Sequence, residues 1–142
     1  MRLWHKCLVC ALPRKQLLSQ WRECCCIAKN ISVNGTPNHI LVNKIMKYPM
    51  SHFYTYGLMV AVVMESRGYK CDTRKFIRYF TYPHETNYVD IDALFDGWHN
   101  ERYFLQCYYN LQEKYDCGGI SEKEWALIEE RMKSYTLERR TL

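Results

Sequence analysis

The sequence predicts an all-α fold: a compact single-domain bundle of three to four main helices joined by irregular loops. Apolar residues recur at helical spacing in several long segments, and no segment alternates apolar and polar residues as a half-buried strand would. Glycines and capping residues separate these segments. At 142 residues the chain suits one domain, spanning 1–142, and is long enough to bury a core.

The first helix is predicted from about residue 12 to Asn30. Pro13 suits its first turn, so the preceding residues 1–11 are expected to be extended. Asn34-Gly35 is expected to form a turn beyond its end. Its apolar residues fall at i, i+4, i+7 and i+11, which places them in one stripe: Leu17, Trp21, Cys24 and Ala28.

The polar side of this helix carries two flanks. One holds cations at seven-residue spacing, suited to gripping phosphates: Lys15, Arg22 and Lys29. The other includes Glu23, the only acidic residue in the first 64 positions and the neighbour of Arg22. A lone carboxylate with cationic partners is a candidate for catalysis. The alternative is an Arg–Glu pair on a solvated helix face.

A second helix is predicted from Met50 to Arg67, with Gly68 as its C-terminal stop. The stretch before it is irregular because it contains Pro37, and it carries His39 and Asn43. The centre of the helix, residues 57–64, is apolar on every side. It is therefore expected to be the buried central helix of the bundle.

Three further helices follow. A short basic helix is predicted at residues 74–79, and an acidic loop at 83–97. A long helix is predicted at 98–115, with the stripe Phe104, Tyr108, Leu111 and Tyr115. Ser121 and Glu124 form a capping box for the last helix, whose stripe is Trp125, Ile128, Met132 and Tyr135.

The charge of the chain is unevenly distributed. The net charge is +5, but residues 1–80 hold 13 Lys and Arg against 3 Asp and Glu, whereas residues 81–142 hold 7 against 12. A basic half rich in Tyr and Trp is typical of a nucleic-acid-binding face. The alternative is uneven surface charge that serves no partner.

The eight cysteines do not predict a disulfide framework. The chain has no export signal and no stretch that approaches a membrane span, so it is expected to be cytoplasmic, with reduced thiols and no membrane partner. Cys7 and Cys10 form a single CxxC with no second pair, so no metal and no cofactor are expected.

Several motifs in the first half resemble those of one enzyme family. They are the opening MRLW, the L-x-x-x-WRE run from Leu17 to Glu23, the stretch NHILVNKIMKYP and the helix end ESRGYK. These motifs look like the pyrimidine-dimer DNA glycosylase, or endonuclease V, family over roughly residues 1–70. Members of that family are compact and all-helical. They use the terminal α-amine of the chain as nucleophile and a glutamate on the first helix as its catalytic partner.

The resemblance implies that Met1 is the nucleophile and Glu23 its partner. A free α-amine has a pKa of about 7.7–8.0, against about 10.4 for Lys, so a far larger fraction is unprotonated at neutral pH. Well-known members expose a small residue after loss of Met, whereas Arg2 here implies that Met1 is retained. The aromatic tail that helps those members grip a dimer has no clear counterpart after Thr136.

The function expected on this basis is that of a DNA glycosylase with AP-lyase activity. It would act as a monomer on double-stranded DNA with damaged or modified bases, pyrimidine dimers among them. The residues expected to bind the DNA are Arg2, Lys15, Arg22, Lys29, His39, Asn43, Lys44 and Lys47. Two alternatives stay open: a non-catalytic helical nucleic-acid-binding module, and a cysteine-based redox or metal protein.

Overall fold

The fold is all-α, as predicted. The computed structural model describes residues 1–140, and over that range it contains five α-helices and no strand. Four helices are long: α1 (Arg14–Asn34), α2 (Met50–Ser66), α4 (Glu101–Asp116) and α5 (Glu122–Arg140). The fifth, α3, is a single turn at Arg74–Ile77. Residues 141–142, which the predicted domain includes, lie outside the described residues.

Helix α1 packs against α2 and α3, and α4 packs against α5. The predicted apolar stripe of α1 is confirmed, because all four of its residues are buried. The helix runs four residues beyond the predicted end. Gly35, at φ 76°, takes the left-handed conformation that terminates it, so Asn34-Gly35 is the helix stop itself.

The prediction that α2 is buried on every side is wrong. One face packs against α1 and two short 3-10 turns (Val9–Ala11 and Asn43–Lys47), but the side chain of Val62 on the opposite face is 64% exposed. On its buried side α2 depends on Gly57. A Cβ there would lie 2.2 Å from the ring of Phe76, so the glycine allows α3 to approach closely.

The expectation of an extended stretch at residues 1–11 is wrong for its second half. Residues 6–8 form a turn, and Val9–Ala11 form the 3-10 turn already mentioned. Burial explains this turn, because Leu8, Val9 and Leu12 are all in the core and a compact turn brings these closely spaced apolar side chains inward.

The boundaries of the last two long helices follow their caps. Helix α4 begins three residues later than predicted, because the Asn100 side chain accepts a hydrogen bond from the Tyr103 N–H at 2.9 Å. Half of the capping box of α5 is confirmed, since the Glu124 N–H donates to Ser121 Oγ at 3.2 Å, whereas Glu124 Oε2 accepts a hydrogen bond from the Arg14 N–H at 2.8 Å.

Candidate functional site

A cleft of about 600 Å³ lies where the first residues of the chain meet α1 and α4. We call it the basic cleft. Within the described part of the chain, its lining includes four cationic side chains and one carboxylate, Glu23. Its lining residues are Met1, Arg2, Trp4, Lys15, Gln16, Leu18, Ser19, Arg22, Glu23, Leu41, Asn110 and Lys114.

Helix α1 supplies half of this lining because of its periodicity. Its apolar stripe faces the core, so the residues beside the stripe are left at the cleft surface. Lys15, Ser19 and Arg22 are exposed there, and Glu23 is half-buried. The two flanks recognised in the sequence therefore both border the same cleft.

The amino-terminal segment, residues 1–12, is held at the cleft by side chains. It has no regular secondary structure before residue 9, so its backbone groups need partners from elsewhere. The Trp4 N–H donates to Gln20 Oε1 at 2.7 Å, and Gln20 Nε2 donates to the Arg2 carbonyl at 2.9 Å. The Tyr56 hydroxyl donates to the Trp4 carbonyl at 2.6 Å.

Gln20 also connects this segment to the candidate catalytic carboxylate. Its Nε2 lies 3.4 Å from Glu23 Oε2, and its Oε1 lies 2.9 Å from the Tyr56 hydroxyl, whose single proton it shares with the closer Trp4 carbonyl. Gln20 is fully buried, so these hydrogen bonds form away from competing water. One amide therefore fixes both the backbone next to Met1 and the side chain of Glu23.

A pair of buried histidines holds the segment farther along. The Cys7 N–H donates to His5 Nδ1 at 3.0 Å, and the Lys6 N–H donates to His99 Nδ1 at 2.9 Å. The two imidazole rings stack with centroids 5.1 Å apart. Burial, assisted by nearby Lys6, lowers the pKa of His5 to about 4, and burial moves the pKa of His99 in the same direction. Both rings are therefore neutral at physiological pH.

Two cations of the cleft lie over the ring of Trp4. Arg2 Cζ is 5.2 Å from the ring centroid, and Lys114 Nζ is 5.3 Å from it. These are cation–π distances, and the indole ring is the most favourable aromatic partner for such contacts. Trp4 is thus a buried platform that orients positive charge towards the cleft.

The structure brings together five of the predicted site residues: Met1, Arg2, Lys15, Arg22 and Glu23 all line the basic cleft. The other five lie outside its lining. Lys29, Asn43, Lys44 and Lys47 are exposed, and His39 is half-buried in the loop before α2. His39 and Asn43 are hydrogen-bonded to each other, since the His39 N–H donates to Asn43 Oδ1 at 3.0 Å.

Sequence reasoning missed four residues of this region. Lys114 and Asn110 reach the cleft from α4, and nothing in their local sequence indicates which part of the fold they face. Tyr56 lies within an apolar helix and looks like an ordinary core residue. Gln20 did leave a signal, because it is a polar residue three positions after Leu17 on the buried side of α1.

No group of three or more His, Cys, Asp or Glu residues is placed to hold a metal ion within 1–140. Over the same range, the helices lack the combination of length and hydropathy that a membrane crossing requires.

Comparison with known proteins identifies one family. The family model described as pyrimidine dimer DNA glycosylase matches residues 1–77. The matched region contains the amino-terminal segment, α1, the loop that follows, α2 and α3, and it ends before α4. No curated protein and no solved structure matches the chain.

Proposed function

Because the chain belongs to the pyrimidine dimer DNA glycosylase family, whose members are DNA-repair glycosylases, we propose that it removes a damaged base and then cuts the strand. The proposed nucleophile for both steps is its own terminal amine. The observation that carries this proposal is the basic cleft. It holds the amino terminus and Glu23 together among four cations.

The proposed first step forms a bond between the Met1 nitrogen and the sugar C1′. The C1′–N bond to the damaged base breaks, and the base leaves with the electron pair and a proton. Opening of the sugar then gives a protonated Schiff base. Met1 is 43% exposed, which leaves its amine accessible to a sugar that enters the cleft.

The role proposed for Glu23 is to stabilise that cation and to transfer protons. A carboxylate close to a developing positive charge lowers the energy of the charged intermediate most effectively in a partly desolvated site. Glu23 is half-buried, and its carboxylate accepts a hydrogen bond from the Gln20 amide, which fits such a role.

The same Schiff base accounts for the proposed lyase step. An imine at C1′ acidifies the C2′ proton, and its removal expels the 3′ phosphate by β-elimination. Water then hydrolyses the imine and regenerates the amine. Strand cleavage therefore needs no second nucleophile and no metal-bound water.

The cations of the cleft are proposed to bind the phosphates beside the target nucleotide. Arg2, Lys15, Arg22 and Lys114 line the cleft, and Lys29, Lys44 and Lys47, which are exposed outside its lining, are proposed as further phosphate contacts. Phosphate contacts position a duplex without reading its sequence. These residues would therefore position the strand, and the shape of the cleft would select the lesion.

The test is the Glu23→Gln variant. Gln preserves the shape of the side chain and removes the charge, so the variant is expected to bind an abasic duplex like wild type but cleave it roughly 100-fold more slowly. The measurement is single-turnover cleavage together with an equilibrium binding titration. Glu130→Gln, an exposed position on α5, is the matched control and is expected to cleave normally.

A parallel loss of binding and cleavage in Glu23→Gln would make Glu23 a structural residue and contradict its catalytic assignment. Normal cleavage by the variant would also contradict it.

A further inference from the structure

The most exposed large aliphatic side chain in the described part of the chain is next in sequence to a residue that lines the basic cleft. Ile40 is 84% exposed and stands at the tip of the loop between α1 and α2. Its neighbour Leu41 is 49% exposed and lines the cleft itself. Leu41 and Arg2 also line a second cavity of about 340 Å³, so together they form the boundary between the two cavities.

This loop tip is held in place by hydrogen bonds. The Leu41 N–H donates to His39 Nδ1 at 3.2 Å, and the Asn43 N–H donates to the His39 carbonyl at 2.9 Å. Pro37 and Val42 on either side of the tip are buried. The loop therefore holds Ile40 exposed before any ligand binds. Binding through Ile40 consequently requires little further loss of conformational entropy in the loop.

The surroundings of Ile40 restrict what it can contact. The cleft beside it is lined by Arg2, Lys15, Arg22 and Lys114, and Lys44 and Lys47 follow in the chain. This charge suits a polyanion, but an aliphatic side chain gains nothing from phosphates. Apart from the thymine methyl groups of the major groove, the largest apolar surfaces of a duplex are the faces of its bases, and these open only where two stacked bases separate.

We propose that Ile40, supported by Leu41, is an apolar wedge that enters the base stack of duplex DNA at the nucleotide whose sugar enters the basic cleft. The inference rests on the proposed function for its substrate, duplex DNA. A nucleotide rotated out of a helix leaves a gap between the neighbouring bases, and filling that gap with aliphatic carbon offsets part of the cost of unstacking.

The wedge also assigns a role to the loop residues His39 and Asn43. Both are expected to bind DNA, and their hydrogen bonds run within the loop. They are positioning residues for the tip, because they fix the turn that carries Ile40 outward.

The test uses a duplex with a tetrahydrofuran abasic analogue beside a 2-aminopurine, whose fluorescence rises when it unstacks. Tetrahydrofuran has no aldehyde and no base to lose, so no Schiff base forms and the signal reports the stack alone. Wild type is expected to raise the fluorescence at saturation. Ile40→Ala is expected to lose most of that rise and to bind this duplex roughly tenfold more weakly, because the buried aliphatic surface is gone.

Two variants and one reference duplex complete the experiment. Ile40→Met keeps an apolar wedge and should retain the fluorescence rise. Val62→Ala removes a similarly exposed aliphatic side chain that lines a different groove, and should behave as wild type. Affinity for an undamaged duplex, and its dependence on salt, should be the same for Ile40→Ala and wild type.

A full fluorescence rise with Ile40→Ala, or none with wild type at saturation, overturns the wedge. An equal loss of affinity for the undamaged duplex also overturns it, since Ile40 would then be a general contact. Cleavage of a single-stranded abasic oligonucleotide needs no unstacking and separates the two proposals. If wild type cleaves neither this oligonucleotide nor an abasic duplex, the Schiff-base proposal fails, whereas the wedge is still decided by the fluorescence.

Discussion

At the scale of single residues, the site depends on a buried amide that carries no charge. Gln20 contacts the backbone of Arg2 and Trp4, the hydroxyl of Tyr56 and the carboxylate of Glu23. A terminal amine is at the end of the chain and loses conformational freedom when it is held in place. Gln20 and Tyr56 supply the hydrogen bonds that offset this cost.

Tyr56→Phe is expected to weaken both stability and catalysis. The change removes a buried hydroxyl and leaves the Trp4 carbonyl without its 2.6 Å donor, which should cost about 1–3 kcal/mol of unfolding free energy. Single-turnover strand cleavage should also slow, because the backbone next to Met1 is less firmly held. Urea denaturation and quenched-flow cleavage, measured under conditions where the variant is folded, check the two expectations.

Tyr109→Phe is the matched control for that prediction, since the Tyr109 side chain is exposed on α4. It should match wild type in both measurements. Wild-type stability in Tyr56→Phe would show that its hydroxyl does not hold the amino-terminal segment.

At the scale of elements, helical periodicity predicted α1 well and α2 poorly. One stripe of apolar residues needs one buried face, and α1 has such a stripe. The centre of α2 is apolar all round, and a sequence of that kind does not show which face will lack a neighbour. The exposed side of Val62 is therefore a result of how the other helices pack, which local sequence does not encode.

The amino-terminal segment was the least predictable element. Its conformation is set by partners that are distant in the sequence. His99 bonds to Lys6, Tyr103 bonds to Leu3, and Arg131 bonds to Cys7. The sequence indicated that Met1 and Glu23 belong to one site only through the resemblance to a family. It could not indicate the hydrogen bonds that bring them together.

Acid is expected to destabilise the protein through the buried histidines that hold this segment. The folded-state pKa of His5 is lowered to about 4, against about 6.5 for an unfolded chain, so between these values the unfolded state binds a proton that the folded state does not. The contribution of His5 to stability is thus complete above about pH 6.5 and declines as the pH falls towards 4, by about 3 kcal/mol. His99 acts in the same direction.

The measurement is urea denaturation at a series of pH values from about 7 down to about 4.5. His5→Gln removes the titrating ring while keeping an acceptor for the Cys7 N–H, and its stability should depend less on pH than that of wild type. His84→Gln, at an exposed histidine, should leave the wild-type pH dependence unchanged. Identical pH profiles for His5→Gln and wild type would show that the buried ring does not control acid stability.

At the scale of the whole molecule, the two halves of the chain contribute unequally to the basic cleft. The basic first half supplies most of its lining, which agrees with the charge asymmetry in the sequence. Lys114 and Asn110, however, come from the acidic second half and from beyond the matched residues 1–77. The net charge of each half of the chain predicts that a positive surface exists. The packing of α4 decides which cations contribute to it.

The cleft contains several amines, and we propose that the terminal one reacts. Lys15 and Lys114 also line the cleft, whereas the Lys6 ammonium donates to the Leu94 carbonyl at 2.7 Å and is held away from it. We favour the α-amine of Met1 because the Gln20 amide bonds both the adjacent Arg2 carbonyl and Glu23 Oε2.

The most direct test is borohydride trapping on an abasic duplex, followed by peptide mapping of the adduct. Borohydride reduces an imine to a stable secondary amine, so a covalent adduct reports the Schiff base itself. We expect an adduct on Met1, and we expect acetylation or extension of the amino terminus to abolish trapping while the helical circular dichroism spectrum is unchanged. An adduct on Lys15 or Lys114, or no adduct from folded protein on any abasic substrate, would contradict this proposal.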